Sequence, residues 1–271
     1  MRRWGKLLAM LLIAAWSLGP IALIAASSIK PARDIFAVPA RWVFTPTLAH
    51  YAALFAKWPD FLAGLWNSTL VAAGATVLAV AASTVSGYAH SRFRSSAMDG
   101  AALLLILVRL IPPIVCTLPL FPIVNALGLA DTHWVLIVLY ATFFVSLGTY
   151  VMRAFIDQVP RELDEAASVD GAGRWAILFR IVAPVAAPGM LAVAVFVLVY
   201  AWNEYLFAFI FTARHAKTAP LVLAEMVGAF DGVDWGVLFA ASTVQLLPVL
   251  GFVLLMQRHL VAGLAAGATK G

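Results

Sequence analysis

Apolar residues in this chain gather into six runs, at about residues 7–28, 68–89, 101–123, 134–152, 185–211 and 236–256. A helix needs about 20 consecutive apolar residues to cross the hydrocarbon core of a bilayer, so each run predicts a transmembrane helix. One stretch follows another rule. From Pro160 to Pro188 the chain is polar, charged in both signs and still patterned as helix. Pro160 suits a first helical position, where a missing N–H costs nothing. Glu162, Asp164 and Glu165 follow where the helix dipole favours anions. Leu163, Ala166, Ala167 and Asp170 fall at i, i+3, i+4 and i+7, which predicts a narrow face of small side chains. Gly171 then offers the left-handed stop of a helix C-terminus, and a second helical run, Ala172 to Val182, leads into apolar sequence. Helices this short are marginal in water without a partner, so two of them across a glycine elbow read as a docking element within the loop 153–180.

The spans differ in detail. Arg2, Arg3 and Lys6 precede the first, which resembles a signal peptide but is longer than an ordinary h-region, so we read it as an uncleaved transmembrane helix. Lys30 to Trp66 reads as a surface connector with short helical pieces. The second span is rich in alanine, glycine and serine, which allow close helix approach. The third holds Arg109, Pro112, Pro113 and Pro119, and those prolines predict a bend or break. The fifth carries Tyr200, Trp202, Asn203 and Glu204 within an otherwise apolar run. If that run is one helix, Tyr200, Asn203 and Glu204 share a face.

Composition narrows the class. Hydrophobic residues make up 63% of the 271 and charged residues 11%, against roughly 25% charged in ordinary globular proteins. The net charge of +5 is not a nucleic-acid footprint, because no basic cluster interleaves with aromatics. It is a topology signal instead. With six spans, Arg92, Arg94, Arg153, Arg161, Arg174, Arg180, Arg258, Lys270 and the basic N-terminus fall on one side. Lys30, Arg33, Arg41, Lys57, Arg214 and Lys217 fall on the other. The bias in the short loops predicts cytoplasmic termini and a cytoplasmic 153–180 loop. Cys116 is the only cysteine, and the five histidines are too scattered for metal-ligand spacing. No phosphate-binding loop and no nucleophile elbow occurs. No internal repeat is visible.

Glu165-Ala166-Ala167, Asp170-Gly171-Ala172, Ile181 and Pro184 resemble the EAA signature of permease subunits of bacterial binding-protein-dependent ABC importers. Ala183 stands where leucine is usual before the final proline. Asn67-Ser68, Gly87-Tyr88-Ala89, Pro119 to Pro122, Ala126 to Thr132, Trp202-Asn203-Glu204 and the ending Gly263-Leu264, Gly267-Ala268, Lys270-Gly271 resemble the carbohydrate branch, close to maltose-importer permeases. The resemblance covers nearly the whole chain, treated as one permease domain, 1–271. It implies an all-α, six-span, type I importer fold in a bacterial inner membrane, paired with a homologous second permease. It also implies a cytoplasmic ABC ATPase dimer that carries ATP and Mg, and a periplasmic or lipid-anchored solute-binding protein. By the same resemblance Glu165, Ala166, Ala167, Asp170, Gly171, Ala172, Ile181 and Pro184 form the ATPase-coupling element, and the chain itself binds no cofactor. The C-terminal tail is expected near the ATPase.

Tyr200, Trp202, Asn203, Glu204 and Arg109 are the candidates for the substrate pathway. Amide and carboxylate groups beside aromatic rings suit a polyhydroxylated ligand; the competing use of Asn203 and Glu204 is to bond a neighbouring helix or cap a break. Arg109, about nine residues into its span, is expected to face protein or water, with snorkelling as the alternative. Two other functions are consistent with a multi-span chain: a permease for another solute class, and an ion-coupled secondary transporter, which commonly shows two related halves. A membrane enzyme is disfavoured by the lack of an acid–base, nucleophile or metal constellation.

Overall fold

The computed structural model describes the backbone of residues 2–229 and 232–268 and the side chains of residues 4–229 and 232–255. Every regular element among them is helical: α1 (Arg2–Ser28), α2 (Ala32–Ile35), α3 (Ala49–Lys57), α4 (Asp60–Arg92), α5 (Ser96–Arg109), α6 (Pro113–Ala126), α7 (His133–Ile156), α8 (Arg161–Val169), α9 (Arg174–Ile177), a π-helical turn (Leu178–Val182), α10 (Ala183–Val185), α11 (Ala187–Asn203), α12 (Leu206–Phe211), α13 (Ala219–Val227) and α14 (Trp235–Ala268). Among the described residues four helices are long and apolar enough to cross a membrane: Trp4–Ser28, Asp60–Arg92, His133–Ile156 and Trp235–Leu255. Two bent pairs, Ser96–Arg109 with Pro113–Ala126 and Arg174–Val185 with Ala187–Asn203, bring the number to the six expected.

The third span breaks by 97°. Pro113 drives the residue before it out of the helical region, and Pro112 accordingly sits at ψ 134°. Pro113 then opens α6, whereas Pro119 and Pro122 stay inside it. The second span begins eight residues earlier than the apolar run suggested, at Asp60, whose carboxylate lies in the first turn of α4. The fifth span is not continuous from 185 to 211. It bends by 79° at Ala186 and stops at Asn203, because Glu204 adopts an extended backbone with ψ 132°. The sixth continues as helix to Ala268, past the expected end. Lys270 and Gly271 lie outside the described residues, as do the side chains of Arg2, Arg3, Arg258, Gly263, Leu264, Gly267 and Ala268.

The chain packs as two compact units. The first comprises residues 1–65 and 219–250. Its core is Leu54, Phe61, Val222, Met226, Val237, Ala240 and Ala241. His50 Nε2 donates to the Lys30 carbonyl at 2.8 Å, the Ser28 and Tyr51 hydroxyls pair at 2.7 Å, and Lys57 meets Asp234 at 3.2 Å. The second unit comprises residues 66–218 and 251–271. Buried Leu136, Tyr140, Phe144, Met152 and Ile156 make α7 its centre. α4 meets α7 through small residues: a β-carbon on Gly87 would stand 2.6 Å from Met152 Cβ, and one on Gly148 would overlap the Ser83 hydroxyl. Backbones come this close in a membrane only where side chains are absent or tiny.

Candidate functional site

Between the fourth and fifth spans the polar stretch folds as a separate helix. Pro160 stands one residue before α8, with extended ψ 135°, and Glu162 and Asp164 occupy the first turn. The helix ends as its sequence requires. Asp170 caps it, Gly171 takes φ +83°, the Gly171 N–H bonds the Ser168 carbonyl at 3.1 Å, and the Ala172 N–H bonds the Ala167 carbonyl at 2.9 Å. Those two bonds are the Schellman pattern. Nothing lies within 4 Å of a β-carbon built on Gly171, so conformation rather than space selects glycine there.

The face expected to be shared by Leu163, Ala166, Ala167 and Asp170 is not one face in its surroundings. Only Ala167 is buried; Leu163, Ala166 and Asp170 are exposed together with Glu162, Glu165 and Val169. The outer surface of α8 therefore mixes carboxylates with an apolar stripe. Beyond Gly171, exposed Trp175 stacks on exposed Phe179 at 5.9 Å. Ile181 lies in the π turn and Pro184 just after it. Proline has no N–H to offer four residues back and its ring crowds that carbonyl. A wider turn accommodates this, and the Ala183 N–H reaches five residues back to the Leu178 carbonyl.

The inner side of α8 grips the end of α4. Arg92 Nε donates to Asp164 Oδ2 at 2.8 Å, and Arg92 Nη2 donates to the Val159 carbonyl at 3.0 Å. Ser91 Oγ donates to Asp157 Oδ1 at 2.6 Å, while Arg161 Nη2 donates to the Ser91 carbonyl at 2.9 Å. Arg174 lies over the Phe93 ring at 5.1 Å. In the sequence Arg92 reads only as a topology charge; the signal of its pairing is an arginine one turn beyond an apolar run, with a carboxylate at the first turn of the next polar helix.

The pathway candidates separate into two groups. Tyr200 stacks on Phe143 at 5.2 Å with 11° between the rings, and the Arg109 guanidinium lies 5.6 Å from the other partner of that stack, Phe143. Arg109 is the last residue of α5, at the elbow of the third span, some 20 Å from the helix start at 1.5 Å per residue. Glu204 has a different task. Its carboxylate is buried and accepts from the Phe207 N–H at 3.0 Å and the Ala208 N–H at 3.4 Å, capping α12. The buried Tyr140 hydroxyl has no hydrogen-bond partner of good geometry and lies in the field of that carboxylate. Since α11 stops at Asn203, the expected common face of Tyr200, Asn203 and Glu204 does not form. Asn203 is exposed and bonds back to the Val199 carbonyl at 2.7 Å, while Trp202 is buried.

A second polar clasp holds the loop after α12. Asp131, in the left-handed region at φ 57°, accepts from the N–H groups of Ala213, Arg214, His215 and Ala216 at 3.0–3.1 Å. Burial pushes its carboxyl upward, but the four backbone donors win and hold it at about 2. Asn67 Nδ2 donates to the His215 and Lys217 carbonyls, both at 2.9 Å. Its Oδ1 is thus left as an acceptor, and His133 Nε2, 2.8 Å away, carries the proton.

Six apolar spans, two of them broken, with an exposed acidic helix between the fourth and fifth, define a multi-pass helical membrane protein built for transport. The chain belongs to the family of binding-protein-dependent transport system inner membrane components, whose model matches residues 79–265. It is therefore a permease subunit, and the ion-coupled secondary transporter is set aside. It is 35% identical over 268 residues to the trehalose transport system permease protein SugB of Mycobacterium tuberculosis, covering 96% of this chain and 95% of that one. It is 34% identical over 212 residues to the trehalose/maltose transport system permease protein MalG of Thermococcus litoralis, covering 78% and 76%. Among solved structures, a bacterial ABC transporter involved in the import of the acidic polysaccharide alginate shares the fold with a TM-score of 0.77 at 20% identity, over 95% of this chain and 96% of that one.

Proposed function

We propose that the chain forms part of the translocation pathway of a carbohydrate importer, for a sugar or related polyol. Similarity over 96% and 78% of the chain to permeases named for trehalose and for trehalose and maltose supports that substrate class. A homologous second permease completes the pathway, and a periplasmic or lipid-anchored solute-binding protein delivers the solute. ATP and Mg belong to a separate ABC ATPase dimer. The bias of basic residues in the short loops supports a topology with both termini and residues 90–100 and 153–180 in the bacterial cytoplasm, and residues 30–66 and 212–235 outside. Tyr200, Trp202, Asn203, Glu204 and Arg109 border the pathway within a single permease domain.

The observation that carries this reading is α8: nine residues ended by a Schellman glycine, offering Glu162, Glu165, Ala166 and Val169 outward. An exposed helix of that length gains stability by docking, and an ATPase surface is its partner here. Glu165, Ala166, Ala167, Asp170, Gly171 and Ala172, with Ile181 and Pro184 supporting the return to the membrane, make the coupling element. Closure of the ATPase dimer moves α8 and switches the spans between outward and inward access.

The test is the complex reconstituted with its ATPase and binding protein. Glu165→Lys and Gly171→Pro should insert in the membrane but lose substrate-stimulated hydrolysis about tenfold or more, the scale of a lost charge-assisted contact of about 1.5–3 kcal/mol. Unaltered stimulation in both variants overturns the docking assignment.

A further inference from the structure

Arg92 is the most enclosed charge on the inner side of α8: its side chain keeps 8% exposure and that of Asp164 16%. The contrast is Arg153 with Asp157, at 3.7 Å and nearly half exposed on both sides. An enclosed ion pair holds its geometry only when its remaining donors are satisfied. Arg92 meets that condition. Nε and Nη2 reach the two oxygens of Asp164 at 2.8 and 3.4 Å, Nη2 also reaches the Val159 carbonyl, and Nη1 reaches Ser91 Oγ at 3.3 Å. Ser91 in turn is bound to Asp157 and Arg161. Bonds from the last turn of α4 therefore reach the end of α7, the turn before α8, and α8 itself.

We infer that Arg92, with Asp164 and Ser91, is a positioning joint through which movement of α8 enters the second span. The two ends of α8 are unequal. Toward the fifth span it leaves through Gly171, whose left-handed backbone has open space around it. Toward the second span it is held by the two-pronged guanidinium–carboxylate pair, whose fork geometry resists rotation. A displacement of α8 is thus absorbed at the glycine elbow and passed on at the arginine. The receiving element is one unbroken helix of 33 residues, roughly 50 Å at 1.5 Å per residue, and it contains no proline to absorb the displacement. The joint rests on α8 being the ATPase-coupling element.

The experiment uses the reconstituted complex and reads solute moved per ATP hydrolysed, alongside ATPase co-purification. In Arg92→Gln and in Asp164→Asn the ATPase should still co-purify, while solute moved per ATP falls roughly tenfold, at the upper end of what single positions along a coupling route change. The reversed pair Arg92→Asp with Asp164→Arg should recover a large part of that loss. A purely structural role lowers the amount of complex and leaves the ratio alone, so an unchanged ratio in Arg92→Gln overturns the joint. If Arg92→Gln does not assemble, Ser91→Ala, which removes the arm to Asp157 and the Nη1 bond but keeps the Arg92–Asp164 pair, takes its place: a lowered ratio supports the joint, and an unchanged one overturns it. Glu165→Lys separates the two readings, because normal coupling in that variant refutes docking, whatever Arg92 does.

Discussion

Asp131 shows how far one side chain acts in this protein. Its two oxygens gather four backbone N–H groups from residues 82 to 85 positions further along the chain. Its folded value of about 2 lies below its ordinary 3.8. The carboxylate form is the one bound, so its contribution is complete above about 3.8 and is lost as the pH falls toward 2. The protection factors of the amides of residues 213–216, measured against their intrinsic exchange rates at each pH, should fall as the pH drops across that window and stay constant between pH 5 and 7. In Asp131→Asn that fall should vanish, since an amide does not titrate. Protection that is constant across the window in the unsubstituted protein refutes the clasp. Asp131 lies in the Ala126 to Thr132 segment that resembles sugar permeases, as an Asp where Asn is commoner, and its role was not legible there. The donors are backbone groups of a distant loop, and no side-chain pattern announces them. Arg92 was hidden for a related reason: as a loop arginine it carries topology information whether or not it is paired.

The spans themselves were legible from their apolar runs, as was the elbow of the third from Pro112-Pro113. The break after α11 was legible only as the competing use of Asn203 and Glu204, because Leu206 to Phe211 continues the apolar run without a glycine or proline. One carboxylate supplies the reason for stopping. Glu204 turns out of helix and satisfies two N–H groups that α12 would otherwise leave open. Glu204→Gln keeps the shape but exchanges one acceptor for a donor that faces an N–H. Loss of a cap costs about 0.5–2 kcal/mol, so the variant should melt lower and transport every sugar less. Tyr200→Phe leaves α12 untouched and should alter transport selectively if the ring stack beside Arg109 contacts solute. Changed selectivity among sugars in Glu204→Gln, with normal melting, shows that Glu204 contacts solute and does not merely cap α12.

At the scale of the molecule, the six-span count followed from length and hydropathy, and the placement of charge gives the topology to be tested. Ser168→Cys in a Cys116→Ser background should react with a membrane-impermeant maleimide only after the cells are opened. Reaction from outside intact cells inverts the proposed orientation. The first span presents a different situation. α1 is long and strongly apolar, yet none of its apolar window is covered by the rest of its own chain, and the family match begins well after it, at residue 79. Within this chain, α1 is held to apolar character and not to the outline of individual residues. Leucine, isoleucine and valine along Leu7 to Leu18 are interchangeable as far as this chain's own packing is concerned. Exchanges among them should leave the fold of the chain intact, whereas one added methyl at Gly87 or Gly148 has nowhere to go.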